Sequence, residues 1–152
     1  MTNSVQETFF IIKPDAIEKG HVGEILSIAE KNGLKIKALK VVPPSRQLLS
    51  LHYFELIKKP FFKEVLDYMT RTSLIVGVFE GESAVSKWRD LLGDTDPGKA
   101  KEGTIRSKYG DAEKFENAAH GSSSVDAAEK EITLWFPFSS EKLDMSKYVG
   151  PK

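Results

Sequence analysis

An α+β sandwich is the fold this sequence predicts: an antiparallel four-stranded sheet, helices over one face, and a long functional loop. Three observations predict it. Short apolar runs alternate with stretches of helical periodicity. Helix caps and glycine stops separate the two. Between Asp94 and Asn117 there is no sustained apolar period, and loops of that length inside a compact domain are usually functional.

The elements follow in chain order. Thr8 to Lys13 (TFFIIK) is a continuous apolar run of the kind a central strand buries on both faces. It stops at Lys13-Pro14. Val22, Ile25, Leu26 and Ala29 recur at helical spacing, and Asn32-Gly33 tolerates the left-handed backbone that closes a helix. Leu34, Ile36 and Ala38 alternate with lysines and then slip phase, which predicts a half-exposed strand with a bulge ended by Pro43-Pro44.

Ser45 can cap a helix carrying Leu49, Tyr53, Leu56 and Ile57, and a second short helix carries Phe62, Val65, Leu66 and Met69. Leu74 to Phe79 is the third strand. Ser83 then opens a helix with Val85, Trp88 and Leu92 inward and Gly93 behind it. After a short small-residue segment, Ser123 to Asp126 has capping-box spacing for a last helix, with Val125, Ala128, Ile132, Trp135 and Phe136 in phase. Glu131 to Phe136 also alternates well enough to be a strand. From about 137 the chain reads as an extended tail, and nothing divides residues 1–152 into more than one domain. Strand, helix, strand, helices, strand, helix, short strand, helix is a ferredoxin-like order.

Composition narrows the function. Lys plus Arg equals Asp plus Glu at 22 each, so no global field draws in a nucleic acid. Zero cysteines remove disulfides, thiolate metal sites and a cysteine nucleophile together, and fit a reducing, cytoplasmic setting. No stretch has the ~20 apolar residues of a membrane span, and the polar N-terminus lacks a signal peptide's apolar region.

Gly93 to Ala100 (GDTDPGKA) fits the phosphate-loop pattern up to its last position. It is rejected: a helix precedes it, Pro97 interrupts it, and Ala100 offers no hydroxyl to a metal. His120-Gly121-Ser122 has more to recommend it. An imidazole ahead of a capped helix would sit near the positive end of a dipole, neutral and nucleophilic, with Glu131 in the following helix to orient it. A surface histidine in a turn is the alternative reading. Lys13, Arg89 and Arg106 would each be solvated charges unless the fold makes them converge. Phe61 is either core or an aromatic platform for a base.

Four segments, Thr8 to Leu26, His52 to Phe62, Leu91 to Arg106 and Asn117 to Phe136, together resemble the nucleoside diphosphate kinase family. Asn117-Ala118-Ala119-His120-Gly121-Ser122 is similar to the family's signature around its active histidine. The resemblance implies reversible γ-phosphoryl transfer from a nucleoside triphosphate to a nucleoside diphosphate, by a ping-pong route through a phosphohistidine on His120. Glu131 and Ser122 would orient the ring, with Tyr53 in the same pocket. Arg89, Thr95 and Arg106 would hold phosphates, Lys13 and Asn117 the sugar hydroxyls, and Phe61 the base. His52 reads as structural.

Magnesium (Mg2+) on the nucleotide phosphates, ATP, GTP, ADP and GDP as substrates, and a homo-oligomer, hexamer or tetramer, are further implications. Two departures stand out. Lys114-Phe115-Glu116 occupies the place of the family's Gly-Arg before the asparagine, in an interval one residue longer than usual, and Ser123 stands where many members carry an acid. A nucleotide-sensing module, an inactive interaction protein and a phosphohistidine hydrolase are the rival readings. Labelled GTP formed from a labelled enzyme and GDP would separate them.

Overall fold

The computed structural model describes residues 4–137; the tail expected beyond them lies outside the described residues. Four strands form one antiparallel sheet in the order β2-β3-β1-β4, with β1 at Val5–Ile12, β2 at Lys35–Val42, β3 at Leu74–Glu82 and β4 at Ala119–Gly121. The central pair β1 and β3 runs in unbroken register from Val5 opposite Glu82 to Ile12 opposite Ile75. That is the ferredoxin-like arrangement. The expected bulge in β2 lies between Ile36 and Ala38, and it leaves Leu39 and Val41 exposed.

Helices α1 (Pro14–Glu18) and α2 (Val22–Lys31) connect β1 to β2. Helix α3 (Arg46–His52), a single 3₁₀ turn at Phe54–Leu56 and α4 (Phe62–Met69) connect β2 to β3. Helix α5 (Ala84–Leu92) and the loop holding α6 (Ile105–Tyr109) connect β3 to β4, and α7 (Val125–Trp135) follows. Helix α1 begins with a proline at its first turn, where the missing N–H removes no helical bond. The residue read as a strand stop is also a helix start.

Both faces of the sheet are covered. Phe10 and Ile12 pack with Ile25 and Ala29 of α2 and with Trp88 and Leu92 of α5. Phe9 and Ile11 point the other way, onto Leu49, Leu66, Met69 and Trp135 of α3, α4 and α7. Helices over one face is therefore corrected to a ferredoxin-like core with a second helical layer. The reason lies in β1: a strand apolar at every position must bury both faces. Trp135 also settles the last element as helix, since it is buried at the end of α7 in that second layer.

Two caps differ from expectation. Ser124, not Ser123, caps α7, its hydroxyl accepting the Ala127 N–H at 3.0 Å. Ser83 precedes α5 in a left-handed conformation, φ 49°, without a side-chain cap bond. Ser45 caps α3 as expected, accepting from Leu48 N. Among the described residues no helix is long and apolar enough to cross a membrane.

Candidate active site

Register decides which way His120 points. It pairs with Ile11 across the β1–β4 ladder, so its side chain shares the Ile11 face and meets α7, while Gly121 turns to the opposite face. A Cβ on Gly121 would stand 2.6 Å from Trp88 Cδ1. The glycine thus makes room for an indole, whose N–H donates to the His120 carbonyl at 3.1 Å.

The His120 ring is held by Glu131, whose Oε1 lies 2.9 Å from Nε2. Ser122 donates its hydroxyl to the same oxygen at 2.7 Å and accepts the Phe9 N–H at 3.2 Å. A carboxylate accepts, so Nε2 carries the proton and Nδ1 keeps the lone pair. Burial lowers the His120 pKa despite the opposing pull of Glu131, which keeps the ring neutral. Burial raises the Glu131 pKa, but the bonds from His120 and Ser122 outweigh it and hold the carboxyl below its usual range. The expected dipole effect is replaced by these contacts: the ring faces Glu131 in the body of α7, and the first turn of that helix is capped by Ser124.

The backbone leading to His120 is fixed at both sides of one residue. Ala118 adopts φ 69°, a left-handed conformation that costs a non-glycine residue about 1 to 3 kcal/mol. Its N–H is accepted by Asp15 Oδ2 at 3.0 Å, and its carbonyl accepts the Lys13 N–H at 2.9 Å. The Tyr68 hydroxyl donates to the other Asp15 oxygen. Asp15 and Tyr68 went unread in the sequence, although Asp15 follows Lys13-Pro14 directly. A fully buried carboxylate (Asp15, 0% exposed) tells only once the fold is known.

Lys13 and Arg106 converge as the layout required. Lys13 Nζ donates to Asn117 Oδ1 at 2.7 Å, and Asn117 Nδ2 donates to the Thr95 carbonyl at 3.0 Å. Burial, then the nearby Arg106 guanidinium, lowers Lys13 to about 7 against the opposing Asp15. Arg106 sits on α6, a helix capped by Thr104. It donates from Nη1 to the Gly93 carbonyl at 3.1 Å and from Nη2 to the Ala119 carbonyl at 2.9 Å. Its Nε is buried without a partner. Burial and then the charge of Arg89 lower its pKa to about 10.

The remaining predicted residues sit less tightly. Arg89 and Thr95 are exposed at α5 and the loop after it. Tyr53 follows α3, its ring edge-on to His52 at 4.7 Å, and burial, then Glu131, raises the phenol so that it keeps its proton. Phe61 precedes α4 at 47% exposure, and among the described residues no ring contact joins it to the cluster. In the segment Lys114 to Glu116, Phe115 takes φ 55° inside a turn closed by the Asp111–Glu116 bridge. The segment that imitates a phosphate loop is a run of turns after α5. A groove of about 720 Å³, lined by Tyr53, Glu55, Ser123, Lys130 and Glu131 among others, opens between α7 and the chain from Leu51 to Leu56.

The sequence profile described as nucleoside diphosphate kinase matches residues 6–140. The chain belongs to the nucleoside diphosphate kinase family. It is 46% identical over 133 residues to the nucleoside diphosphate kinase of Corynebacterium jeikeium, covering 87% of this chain and 97% of that one. It is 40% identical over 136 residues to that of Streptococcus agalactiae serotype V, covering 87% and 99%.

Solved structures agree. The nucleoside diphosphate kinase of Encephalitozoon cuniculi superposes with a TM-score of 0.85 at 37% identity, over 95% of this chain and 99% of that one. The Aquifex aeolicus enzyme gives 0.83 at 35%, over 88% and 96%. As a nucleoside diphosphate kinase the chain is a transferase acting on nucleotides, and it moves the γ-phosphoryl group by the family's ping-pong route through a phosphohistidine.

Proposed function

We propose that His120 carries the phosphoryl group, and that Nδ1 is the attacking atom. One observation carries this reading: Nε2 is engaged by Glu131 at 2.9 Å, which leaves the lone pair on Nδ1. Nδ1 attacks the γ-phosphorus in line as the bond to the β-phosphate oxygen breaks, and the nucleoside diphosphate departs with that electron pair. The ring becomes a phosphorylated imidazolium. Its charge is balanced by the Glu131 carboxylate, which Ser122 holds in place. A second nucleoside diphosphate then takes the group by the same path reversed.

Arg106 is the main phosphate ligand in this mechanism. Two carbonyls fix its plane, and each Nη keeps a second N–H to offer a phosphate oxygen. Such preorganised donors typically supply ~3 to 4 kcal/mol of transition-state stabilisation. Arg89 and Thr95 add further phosphate contacts, and the Tyr53 hydroxyl donates within the pocket. Lys13 and Asn117 take the sugar hydroxyls. Phe61 stacks on the base, a contact open to every π-face, which supports broad use of ATP, GTP, ADP and GDP.

Among the described residues, one set of three histidine or carboxylate side chains lies close enough to grip an ion: His52, His120 and Glu131. Two nitrogens and an occupied carboxylate do not suit a hard cation, which prefers oxygen ligands. Mg2+ is therefore expected on the nucleotide phosphates, where it would neutralise charge. We also read residues 1–152 as a single domain that works as a homo-oligomer, hexamer or tetramer. With 22 charges of each sign and no cysteine, it is read as a cytoplasmic protein without a nucleic-acid partner.

The test is a two-stage transfer. Protein incubated with γ-labelled ATP and magnesium is isolated and given GDP; labelled GTP is expected from the parent and none from His120→Ala. Equal labelling of the two proteins would remove His120 from the mechanism.

A further inference from the structure

We propose that His52, locked in one tautomer by Trp135, is a positioning residue for the His120 ring. The inference rests on His120 being the nucleophile. The Trp135 indole N–H lies 3.0 Å from His52 Nδ1. An indole can only donate, so Nδ1 must supply the lone pair, and the proton of a neutral His52 ring stays on Nε2. The bond joins the end of α7 to the end of α3 across 83 residues of sequence, and Trp135 is 2% exposed.

The locked ring forms a wall. His52 meets His120 edge to face, with centroids 4.8 Å apart and planes at 79°. Phe9 lies 5.9 Å from His52 and 6.0 Å from His120, and it stacks on Trp135 at 5.6 Å. With Nε2 tied to Glu131 and two rings against it, His120 cannot swing about its Cβ–Cγ bond without displacing a packed neighbour. Near-attack geometry of this kind is what supporting side chains supply to a reacting group.

The same bond disarms His52. Nδ1 is occupied and Nε2 is protonated, so neither nitrogen can take the phosphoryl group or accept the Nε2–H that His120 donates to Glu131. Burial, reinforced by the neighbouring His120, lowers its pKa to about 3, and the wall stays neutral. The apparent metal triad of His52, His120 and Glu131 is closed to an ion for the same reason. A neutral imidazole that binds a metal through one nitrogen must donate from the other, and here the other accepts.

Three variants test the proposal: Trp135→Phe, His52→Leu and His52→Asn. The readouts are 15N NMR of the histidine rings, the single-turnover rate of His120 phosphorylation, and the Kd for ADP. The parent should show His52 as the neutral tautomer protonated on Nε2, and Trp135→Phe should mix the two tautomers. Trp135→Phe and His52→Leu should each slow phosphorylation by about tenfold while the ADP Kd changes by less than about twofold.

His52→Asn, whose side-chain oxygen can accept the indole proton, should recover most of the rate. An Nδ1-protonated His52 in the parent would overturn the proposal. So would unchanged rates in the first two variants, or equal losses of rate and affinity. Failure of the wider reading looks different: the parent itself would take no label on His120, whatever the tautomer of His52.

Discussion

Asp15 accepts the N–H of Ala118 at 3.0 Å while Ala118 holds a left-handed backbone at φ 69°. The pairing places a strained residue two positions before His120, with Lys13 and Asp15 gripping its two peptide groups. Asp15→Ala leaves a buried N–H without a partner, and a loss of about 1 to 3 kcal/mol in unfolding free energy is expected. Ala118→Gly, which removes the steric penalty, should return part of it in the double variant. Urea denaturation of the four proteins checks both statements.

Lys13 ties nucleotide affinity to pH. In the free protein its pKa is lowered to about 7 by burial and the Arg106 charge, and anionic phosphates in the pocket would raise it again. Above about pH 7 the free amine is neutral, so binding must take up a proton, and affinity should fall by up to about tenfold per pH unit. Below that pH the amine is already charged and the slope should vanish. ADP titration calorimetry in buffers of different ionisation enthalpy measures the uptake directly, and Lys13→Arg should abolish it.

Arg106→Lys keeps a charge and loses an anchor. A lysine lacks the planar fork that holds the carbonyls of Gly93 and Ala119 while keeping further N–H donors fixed for a phosphate. His120 phosphorylation should slow by about 10² while ADP affinity changes less, because the lost contact strengthens as charge develops on the phosphoryl oxygens. Rapid-quench single turnover beside equilibrium ADP binding decides it.

Gly121→Ala drives a methyl into Trp88 and Leu92, whose nearest atoms stand 2.6 and 2.9 Å from the added Cβ. Overpacking of this kind costs about 1 to 3 kcal/mol. The denaturation midpoint should fall accordingly. Close packing against Trp88 and Leu92 is the reason for glycine there.

What could be read in advance follows from the physics of each segment. β1 and β3 were legible because continuous apolar runs have few other uses, and Ser45 and Gly93 marked helix ends by their own chemistry. Helices α1 and α6 were not legible: each has 5 residues, too few for a period to register. Ile105 is buried in the same core as Trp88 and Leu92, a contact that no amphipathic pattern announces. The signature residues about His120 could be named from sequence. Their support from Asp15, Tyr68 and Trp135 comes from positions 53 to 103 residues away from their partners, and only the fold brings them together.

One atom, Nδ1 of His120, carries the transferred group in this mechanism. After one turnover with γ-labelled ATP, the protein should carry an acid-labile, alkali-stable phosphate, and 31P and 15N NMR of the labelled protein should place it on Nδ1 with Nε2 still protonated. His120→Ala should carry none. Phosphate on Nε2, an acid-stable label, or full labelling of His120→Ala would contradict this mechanism.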